Sequence, residues 1–325
     1  MKWWRSTAAC AAACVALCAQ ATGTAPSENS ELQWLERLQS APTRVNYHGV
    51  FVYQQGDQVQ SSRITHIADA SGSRERLEVL DGQPREYLRH DDEVRCLLPE
   101  LKQILVERAG SRESFPALIL SSAKEITAHY TLRKVGGERV AGQETDALEL
   151  TPRDAWRFGY RFWADRATGL PLKAQTINEK GEVVEQIAFS EIRIGQGVDR
   201  SQLKSRLNTE GWRVENLPPQ PVTAIPWKIE SPVPGFKKVR EVRRSFGGHP
   251  NVLQIVFSDG LAAVSIFIEP LREGQSTQDT AATKGAINML GKRLGNDWMT
   301  VLGEVPAPTL RQFANAVEPQ PAAKP

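Results

Sequence analysis

Histidine, the side chain that most often supports acid–base or metal chemistry near neutral pH, is sparse in this chain of 325 residues. No two histidines have the four-residue spacing that places a pair of zinc ligands on one helix face. The sequence also contains no nucleophile elbow and no glycine-rich phosphate loop. The five histidines are His48, His66, His90, His129 and His249. We therefore predict no catalytic site, no bound cofactor and no enzymatic activity, and the missing nucleophile–base pair argues against a hydrolase.

Two short motifs could still carry chemistry. His90–Glu93 (His-Asp-Asp-Glu) supplies four potential metal ligands, but it lies where a hairpin turn is expected, which favours a solvated turn over a metal site. Cys96 is flanked by Val94, Leu97 and Leu98, and this setting favours a buried small hydrophobe over a reactive thiol.

The strongest electrostatic feature is a run of five basic residues within eight positions. These residues are Lys237, Lys238, Arg240, Arg243 and Arg244. Lysine and arginine donors match anionic oxygens, so the run predicts a surface that binds an acidic peptide or lipid phosphates. The alternative is a solvated strand face without a partner.

Aromatic residues are concentrated in a strand-like segment at 156–163 and alternate along another near position 50. On a curved sheet they could face a concave cavity that accepts small apolar ligands. The candidate cavity residues are Phe51, Tyr53, Tyr160 and Phe162. A core filled by side chains is the alternative, and the sequence leaves both open.

Residues 1–21 are typical of a secretory signal peptide. Lys2 and Arg5 precede a short apolar run, and Ala19 and Ala21 frame a cleavage site. The run is about a dozen residues, whereas a membrane-spanning helix needs roughly 20. An uncleaved anchor and lipid attachment at a cysteine of this segment are the alternatives.

Removal of this segment changes both the charge and the cysteine count. The net charge of +2 falls to near zero when Lys2 and Arg5 leave, and Cys96 is the one cysteine of the four that remains. The mature chain can then form no intrachain disulfide. We predict a soluble periplasmic protein, for which nucleic acid is not an expected partner.

The elements that must position these residues are mostly strands. A helix with Ser30 at its cap and Pro42 at its end precedes a long series of alternating apolar segments and turns, with one pause at 109–124 for a loop and a short helix. This series predicts a mainly β (α+β) fold with a large curved antiparallel half-barrel sheet under covering helices. We assign this N-terminal domain to residues 22–210.

A proline-rich segment at 211–226 has the composition of a stiff extended connector, so we place a domain boundary there. The second domain, 227–318, is predicted as a smaller antiparallel sheet with a polar loop at 273–284 and a final helix at 308–317. Its centre is Phe257–Pro270 (FSDGLAAVSIFIEP), the second half of an Asp-Gly hairpin. This stretch contains no reactive group and predicts a packing or binding surface. Residues 319–325 are predicted to be a disordered tail.

The chain resembles the MucB/RseB family of periplasmic sigma-factor regulators. The resemblance is carried by FSDGLAAVSIFIEP, by GAINMLGKRLGNDWMTVLGEVPAPTLRQFA (285–314), by WLERLQSAPTRVNYHGVFVY (34–53) and by YRFWADRATGLPLKAQTINEKGEVVEQIAFSEI (160–192). These blocks occur in order over nearly the whole mature chain.

The resemblance implies a partner. Family members bind the periplasmic domain of a transmembrane anti-sigma factor and shield it from a first protease cut that would start release of an envelope-stress sigma factor. It also implies a larger domain similar to the LolA/LolB lipoprotein carriers and a smaller one that helps to bind the anti-sigma factor. Lipopolysaccharide or lipoprotein is implied as the displacing signal.

From this resemblance we form a working hypothesis. Acyl chains would enter the N-terminal concavity while the basic run attracts phosphates or the acidic partner. The alternative function is a periplasmic lipid or lipoprotein carrier, for which the second domain would be surplus. A homodimer is left open, and no individual contact residue is carried over from the family.

Overall fold

The computed structural model describes residues 28–108, 115–119, 121–216, 220–222, 225–246, 249–272, 274 and 277–320. The predicted signal peptide lies outside these residues. No helix in the described ranges has both the length and the apolar character to cross a membrane. We refer to residues 28–216 as the N-terminal region and to residues 220–320 as the C-terminal region.

The N-terminal region is built on one large sheet. Its strands are β1 (Tyr47–Gln55), β2 (Gln58–Asp69), β3 (Gly72–Val79), β4 (Arg85–His90), β5 (Glu93–Leu98), β6 (Gln103–Arg108), β7 (Tyr130–Val135), β8 (Arg139–Val140), β9 (Gln143–Pro152), β10 (Gly159–Asp165), β11 (Pro171–Ile177), β12 (Val183–Ile194) and β13 (Arg213–Asn216). They are ordered β13-β6-β5-β4-β3-β2-β1-β12-β11-β10-β9-β7, with β8 beside β9. Neighbours are antiparallel except β13, which runs parallel to β6.

Two helices cover this sheet. Helix α1 (Glu28–Arg44) buries Leu35 and Leu38 against strands β9, β10 and β11, as their spacing predicts. The helix begins before Ser30, which is therefore not its cap, and it continues two residues beyond Pro42. Proline lies here in the last turn, where the Val45 amide still donates to the Ala41 carbonyl at 2.9 Å and closes the helix.

Helix α2 (Ala123–His129) follows the pause in the strand pattern, part of which lies outside the described residues. It opens with a capping box in which the Glu125 amide donates to Ser122 Oγ at 3.3 Å and the Ser122 amide donates to Glu125 Oε2 at 3.2 Å. Ile126 is fully buried against the sheet. Short 3-10 turns lie at Pro99–Leu101 and Arg200–Leu203.

The C-terminal region contains a second, smaller antiparallel sheet. Its strands are β14 (Gln220–Pro221), β16 (Lys237–Phe246), β17 (His249–Ser258), β18 (Ala263–Pro270), β19 (Thr280–Lys284), β20 (Ile287–Leu294) and β21 (Asp297–Gly303), in the order β14-β16-β17-β18-β21-β20-β19. Helix α3 (Ala307–Asn315) packs Leu310 and Phe313 on its core. A separate pair joins β15 (Trp227–Ile229) to β22 (Val317–Pro319).

These two sheets confirm the predicted fold class: mainly β, with a large antiparallel half-barrel sheet under helices and a smaller antiparallel sheet after it. The hairpin around Asp259 is also confirmed. Strands β17 and β18 pair antiparallel, from Leu253 opposite Ile268 to Ser258 opposite Ala263.

Three local predictions differ from the structure. The polar segment predicted as a loop ends in strand β19, because edge pairing with β20 satisfies the backbone of a fully exposed sequence. The final helix stops at Asn315, and Val317 belongs to β22 instead. The first two residues of the predicted disordered tail are ordered by strand pairing. Pro319 pairs with Trp227, and the Gln320 amide donates to the Pro226 carbonyl at 2.8 Å.

The described part of the proline-rich segment is hydrogen-bonded to both sheets. Residues 213–216 form β13 on the large sheet, and residues 220–221 form β14 on the small one. Residues 213–216 and 220–221 of this segment are therefore extended, and each forms an edge strand.

Candidate functional site

The basic run occupies strand β16, where the side chains are divided between the two faces of the sheet. The register is interrupted between Lys238 and Arg240, and farther along Arg243 lies opposite Leu253 while Arg244 lies opposite Val252. Adjacent strand residues point to opposite faces, so the five charges do not form one uniform surface.

Most of these cations already have partners within the chain. Lys238 Nζ lies 2.5 Å from Glu241 Oε2, and Arg243 donates to the Asn251 carbonyl at 3.3 Å. The other two contacts cross between the regions. Lys237 Nζ lies 2.5 Å from Glu125 Oε1, and Arg244 Nη2 lies 2.8 Å from Glu107 Oε1.

The Lys237 contact has an electrostatic signature. Its hydrogen bond, together with those from Ser122, holds the pKa of Glu125 below its usual value. Exposed ion pairs of this kind are screened by solvent and contribute little to stability. The basic run therefore includes two weak bridges between the regions, and Lys237 and Lys238 are its exposed members while the three arginines are partly buried.

The predicted cavity residues lie in different places. Phe51 is packed by Phe115 and Phe189, whose ring centroids lie 5.2 and 6.0 Å away. Phe115 belongs to the short described segment 115–119, so this segment occupies the space over Phe51. The structure here agrees with the filled-core alternative rather than with an open cavity.

Tyr160 and Phe162 belong to a second cluster, under α1 and α2, in which Phe162 is 1 % exposed and the two rings are stacked at 6.0 Å. Burial, with the nearby Asp259 carboxylate, raises the pKa of Tyr160 far above its usual value. Tyr53 is half-buried, and burial together with Glu185 raises its pKa as well. The four residues therefore do not line one common cavity.

The contact that joins the two regions most deeply was not predicted from sequence. Arg157, in the loop before β10, donates from Nη1 to Asp259 Oδ2 at 2.9 Å, and both side chains are 0 % exposed. Tyr130 also donates its hydroxyl to Asp259 Oδ2, at 3.1 Å. Arg157 Nη2 donates to the Pro234 carbonyl at 2.5 Å. We call Arg157, Asp259 and Tyr130 the buried joint.

The Arg157 side chain makes two further contacts, one through Nε and one through the face of its guanidinium. Arg157 Nε donates to Asp154 Oδ1 at 3.1 Å, and the guanidinium lies 5.2 Å from the ring centroid of Phe236. Burial raises the pKa of Tyr130 well above its usual value, so this hydroxyl stays protonated and acts as a donor. A guanidinium removed from water is stable only where its donors are satisfied in this way.

The two carboxylate oxygens of Asp259 accept hydrogen bonds from different parts of the chain. Its Oδ1 accepts the Leu261 and Ala262 amides at 3.0 and 2.9 Å, which shapes the hairpin turn, while Oδ2 accepts from the N-terminal region. The stretch FSDGLAAVSIFIEP was predicted to be a packing or binding surface, and Asp259 within it binds the N-terminal region of the same chain. An Asp-Gly pair predicts only a hairpin turn, and nothing in the sequence links it to Arg157, 102 residues away.

Glycines permit the close approach beside the buried joint. Gly260 has φ +97°, and a Cβ there would lie 2.1 Å from Ser121 Cβ. Gly235 has φ +86°, and a Cβ there would lie 2.3 Å from His129 Nε2. Both positions require a conformation that L-residues rarely adopt and a contact that a side chain would obstruct.

The two other motifs singled out in the sequence are structural. His90–Glu93 closes the β4–β5 hairpin, with Asp91 in the left-handed region at φ 51° and its Oδ1 accepting the Ser73 amide. Across the described ranges, no three His, Cys, Asp or Glu side chains are placed to hold a metal ion. Cys96 is half-buried on β5, and burial raises the pKa of its thiol.

Comparison with known proteins identifies the family to which these two regions are similar. The family model described as the MucB/RseB N-terminal domain matches residues 30–207, and the one described as the MucB/RseB C-terminal domain matches residues 221–318. A similar curated protein is the sigma factor AlgU regulatory protein MucB of Pseudomonas aeruginosa, 33% identical over 297 residues that cover 90% of this chain and 92% of that protein.

A more distant relative is the sigma-E factor regulatory protein RseB of Salmonella typhimurium, 24% identical over 87% of this chain and 89% of that protein. Among solved structures, the complex of Pseudomonas aeruginosa MucA and MucB matches with a TM-score of 0.72 and 31% identity, covering 90% of this chain and 100% of that one. A structure of MucB in complex with MucA(peri) matches with a TM-score of 0.70 and 30% identity, over 90% of this chain and 100% of that one. This chain belongs to the MucB/RseB family.

Proposed function

We propose that this chain binds the periplasmic domain of a membrane anti-sigma factor and shields it from the first protease cut, so that an envelope-stress sigma factor stays restrained. The observation that carries the proposal is the match to a MucA/MucB complex along 90% of the chain, through both regions in order. The relatives are named as regulatory proteins, which supports action by binding rather than by catalysis. Action on that domain requires the chain to be in the periplasm, which is the location we propose.

The two regions are proposed to bind as one body. Because the buried joint holds the hairpin turn of the small sheet to the loop before β10, a partner that contacts both regions meets them in a fixed arrangement. Preorganisation of this kind lowers the ordering cost of binding. Within the basic run, we assign partner contact to Lys238, Arg240 and Arg243, since Lys237 and Arg244 bridge the regions.

The proposed release signal is a lipid. An acyl chain that reaches the face of the large sheet beside Phe51 must displace Phe115, because that ring now occupies the position. Lipid binding would then be coupled to movement of residues 115–119, which lie a few residues before α2 and its bridge to Lys237. A lipid can weaken partner binding only by its differential affinity for the two states, and a tenfold effect requires about 1.4 kcal/mol.

Protease protection tests this proposal. The periplasmic domain of the anti-sigma factor is incubated with its site-1 protease, with and without this chain, and cleavage is followed over time. We expect slower cleavage in the presence of the chain and restored cleavage when lipopolysaccharide is added. Equal cleavage with and without the chain would contradict the proposal. Protection that lipid does not reverse would retain the binding function and remove the lipid signal.

A further inference from the structure

Strand β19 is an edge of the small sheet, and its outer side is open. It pairs with β20 on the other side, and all five of its residues are exposed. In the described part of the chain, the backbone of residues 280–284 makes no backbone hydrogen bond outside this pair. About half of its amide and carbonyl groups therefore point to solvent, as in any unpaired edge strand.

The strand register identifies which backbone groups face outward. Lys284 lies opposite Ile287 across a two-residue turn whose first residue, Gly285, has φ +55°, as a type II′ hairpin turn requires. The pair that flanks such a turn is hydrogen-bonded, and bonded and non-bonded pairs alternate along an antiparallel ladder. Ala281 and Thr283 belong to the non-bonded pairs, so their amide and carbonyl groups point away from β20.

The other edges of the two sheets carry features that hinder the addition of a further strand. At β7 the Lys134 amide donates to Glu31 of α1 at 3.2 Å. Strand β13 has four residues, two of them charged. Strand β16 is interrupted by a register shift between Lys238 and Arg240, and β14, with Pro221, covers part of the rest. Strand β19 has an unbroken register and no proline, so it is the most open of these four edges.

Small side chains on β19 leave two apolar residues of β20 within reach of an added strand. Ala281 lies opposite Leu290, which is half-buried, and Ala282 lies opposite Met289, which is 38% exposed. Successive strand residues point to opposite faces, so one of these apolar residues lies on each face of the sheet. An added strand can place a larger apolar side chain beside each alanine, as cross-strand pairs do within a sheet.

The hairpin formed by β19 and β20 is uniformly basic. Residues 280–294 contain Lys284, Lys292 and Arg293 and no acidic residue. Lys284 is exposed and makes no ion pair among the described residues, and Arg293 is exposed and donates to the Gly295 carbonyl at 2.7 Å. Charge complementarity therefore favours an acidic segment at this edge. A second copy of the chain is disfavoured, because self-pairing would place two basic hairpins side by side.

We propose that β19 binds an extended acidic segment of the anti-sigma periplasmic domain as an added strand of the small sheet. The backbone groups of Ala281 and Thr283 bond to that segment, and Lys284 pairs with one of its carboxylates. This inference rests on the proposed function, because it names how that partner is held. The contact is separate from the one assigned to β16, since β16 and β19 lie on opposite sides of the seven-stranded sheet.

Amide hydrogen exchange followed by NMR measures the pairing directly. In the free chain, produced without residues 1–21, the amides of Ala281 and Thr283 should exchange fast, while β20 protects those of Ala282 and Lys284. Binding of the anti-sigma periplasmic domain should slow exchange at Ala281 and Thr283 at least about tenfold. A complex that forms without this protection would overturn the proposal. Protection that appears in the free chain as its concentration rises would identify a second copy as the occupant, which also contradicts it.

Two substitutions at one position separate the backbone donor from the side chain. Thr283→Pro removes the outward amide and leaves the bonds to β20, because an edge strand tolerates proline where the N–H faces solvent. Thr283→Val keeps that amide and removes the same hydroxyl, which donates to Asn288 Oδ1 at 2.7 Å. Titration calorimetry should show about tenfold weaker partner binding for Thr283→Pro and parental binding for Thr283→Val. Equal affinities of the two folded variants would refute the strand pairing.

Lys284→Glu tests the charge without relying on the tolerance of proline. It should weaken partner binding about tenfold at low salt and less at high salt, because exposed charges are screened. Lys180→Glu, in an exposed turn of the large sheet, should bind as the parent does. If the parent chain does not bind the domain at all, the proposed function fails together with this inference. If the parent binds and both Thr283→Pro and Lys284→Glu bind equally well, the proposed function stands and the strand pairing is wrong.

Discussion

The basic strand β16 and the Asp259 turn show opposite relations between sequence and structure. β16 presents five cations in eight residues, yet the structure divides them between two faces and pairs most of them within the chain. The Asp259 turn has one ordinary acidic residue, yet it accepts hydrogen bonds from two positions of the N-terminal region in a site closed to water. Local charge density is thus a poor guide to where charge contributes most to the structure.

The physical reason is desolvation. An exposed ion pair exchanges water for a partner at little net gain, whereas a buried pair that loses one member leaves an uncompensated charge that costs about 3–5 kcal/mol. We therefore expect substitutions at the Asp259 turn to lower the free energy of unfolding several-fold more than substitutions on β16.

The largest effect is expected for Asp259→Asn. The amide can keep the turn through its oxygen but removes the charge that balances Arg157, so the free energy of unfolding should fall by about 3 kcal/mol. Urea denaturation checks this, with Asp57→Asn in an exposed turn as the control, expected to change stability by less than about 0.5 kcal/mol. Equal effects at the two aspartates would contradict the buried joint.

The next effect is expected for Gly260→Ala. The substitution combines an unfavourable φ with a contact to Ser121, and we expect a loss of about 2–3 kcal/mol. Gly197 has the same φ of +97° with open space around it, so Gly197→Ala reports the backbone cost alone, about 1 kcal/mol. Thermal unfolding of both variants separates the two terms. If they melt together, the close approach of the regions at Ser121 is not supported.

Partner binding should respond to the part of the basic run that does not bridge the regions. We expect Lys238→Glu combined with Arg243→Glu to weaken binding of the anti-sigma periplasmic domain about tenfold, and more at low salt, because exposed charges are screened. Titration calorimetry at two salt concentrations measures this. Unchanged affinity at both would remove these residues from the binding surface.

The smallest effect is expected at the bridge between the regions on β16. Arg244→Gln should lower the free energy of unfolding by about 0–1 kcal/mol, because both partners of the Glu107 pair are partly exposed. Chemical denaturation at low and high salt checks this, and the difference should shrink at high salt. A loss as large as that of Asp259→Asn would place this bridge on a par with the buried joint.

The sequence predicts those features whose causes are local. Alternating apolar residues predict the strands, the Asp-Gly pair predicts the hairpin at 259–260, and Leu35 and Leu38 predict the buried face of α1. It fails where backbone pairing overrides composition, as at Thr280–Lys284, whose polar residues form an edge strand.

The candidate site was less predictable for a related reason. The members of the buried joint come from three separate segments, and only the packing of the two regions brings them together. The position of Phe115 over Phe51 likewise depends on the path of a segment that has no strand or helix pattern of its own.

The most direct test is a pair of double-mutant cycles measured by urea denaturation. One cycle uses Arg157→Gln and Asp259→Asn, and the other uses Arg244→Gln and Glu107→Gln. We predict a coupling free energy above about 1.5 kcal/mol for the first pair and below about 0.5 kcal/mol for the second. Equal coupling energies, or a larger one on β16, would contradict the conclusion that the Asp259 turn rather than the basic strand joins the two regions.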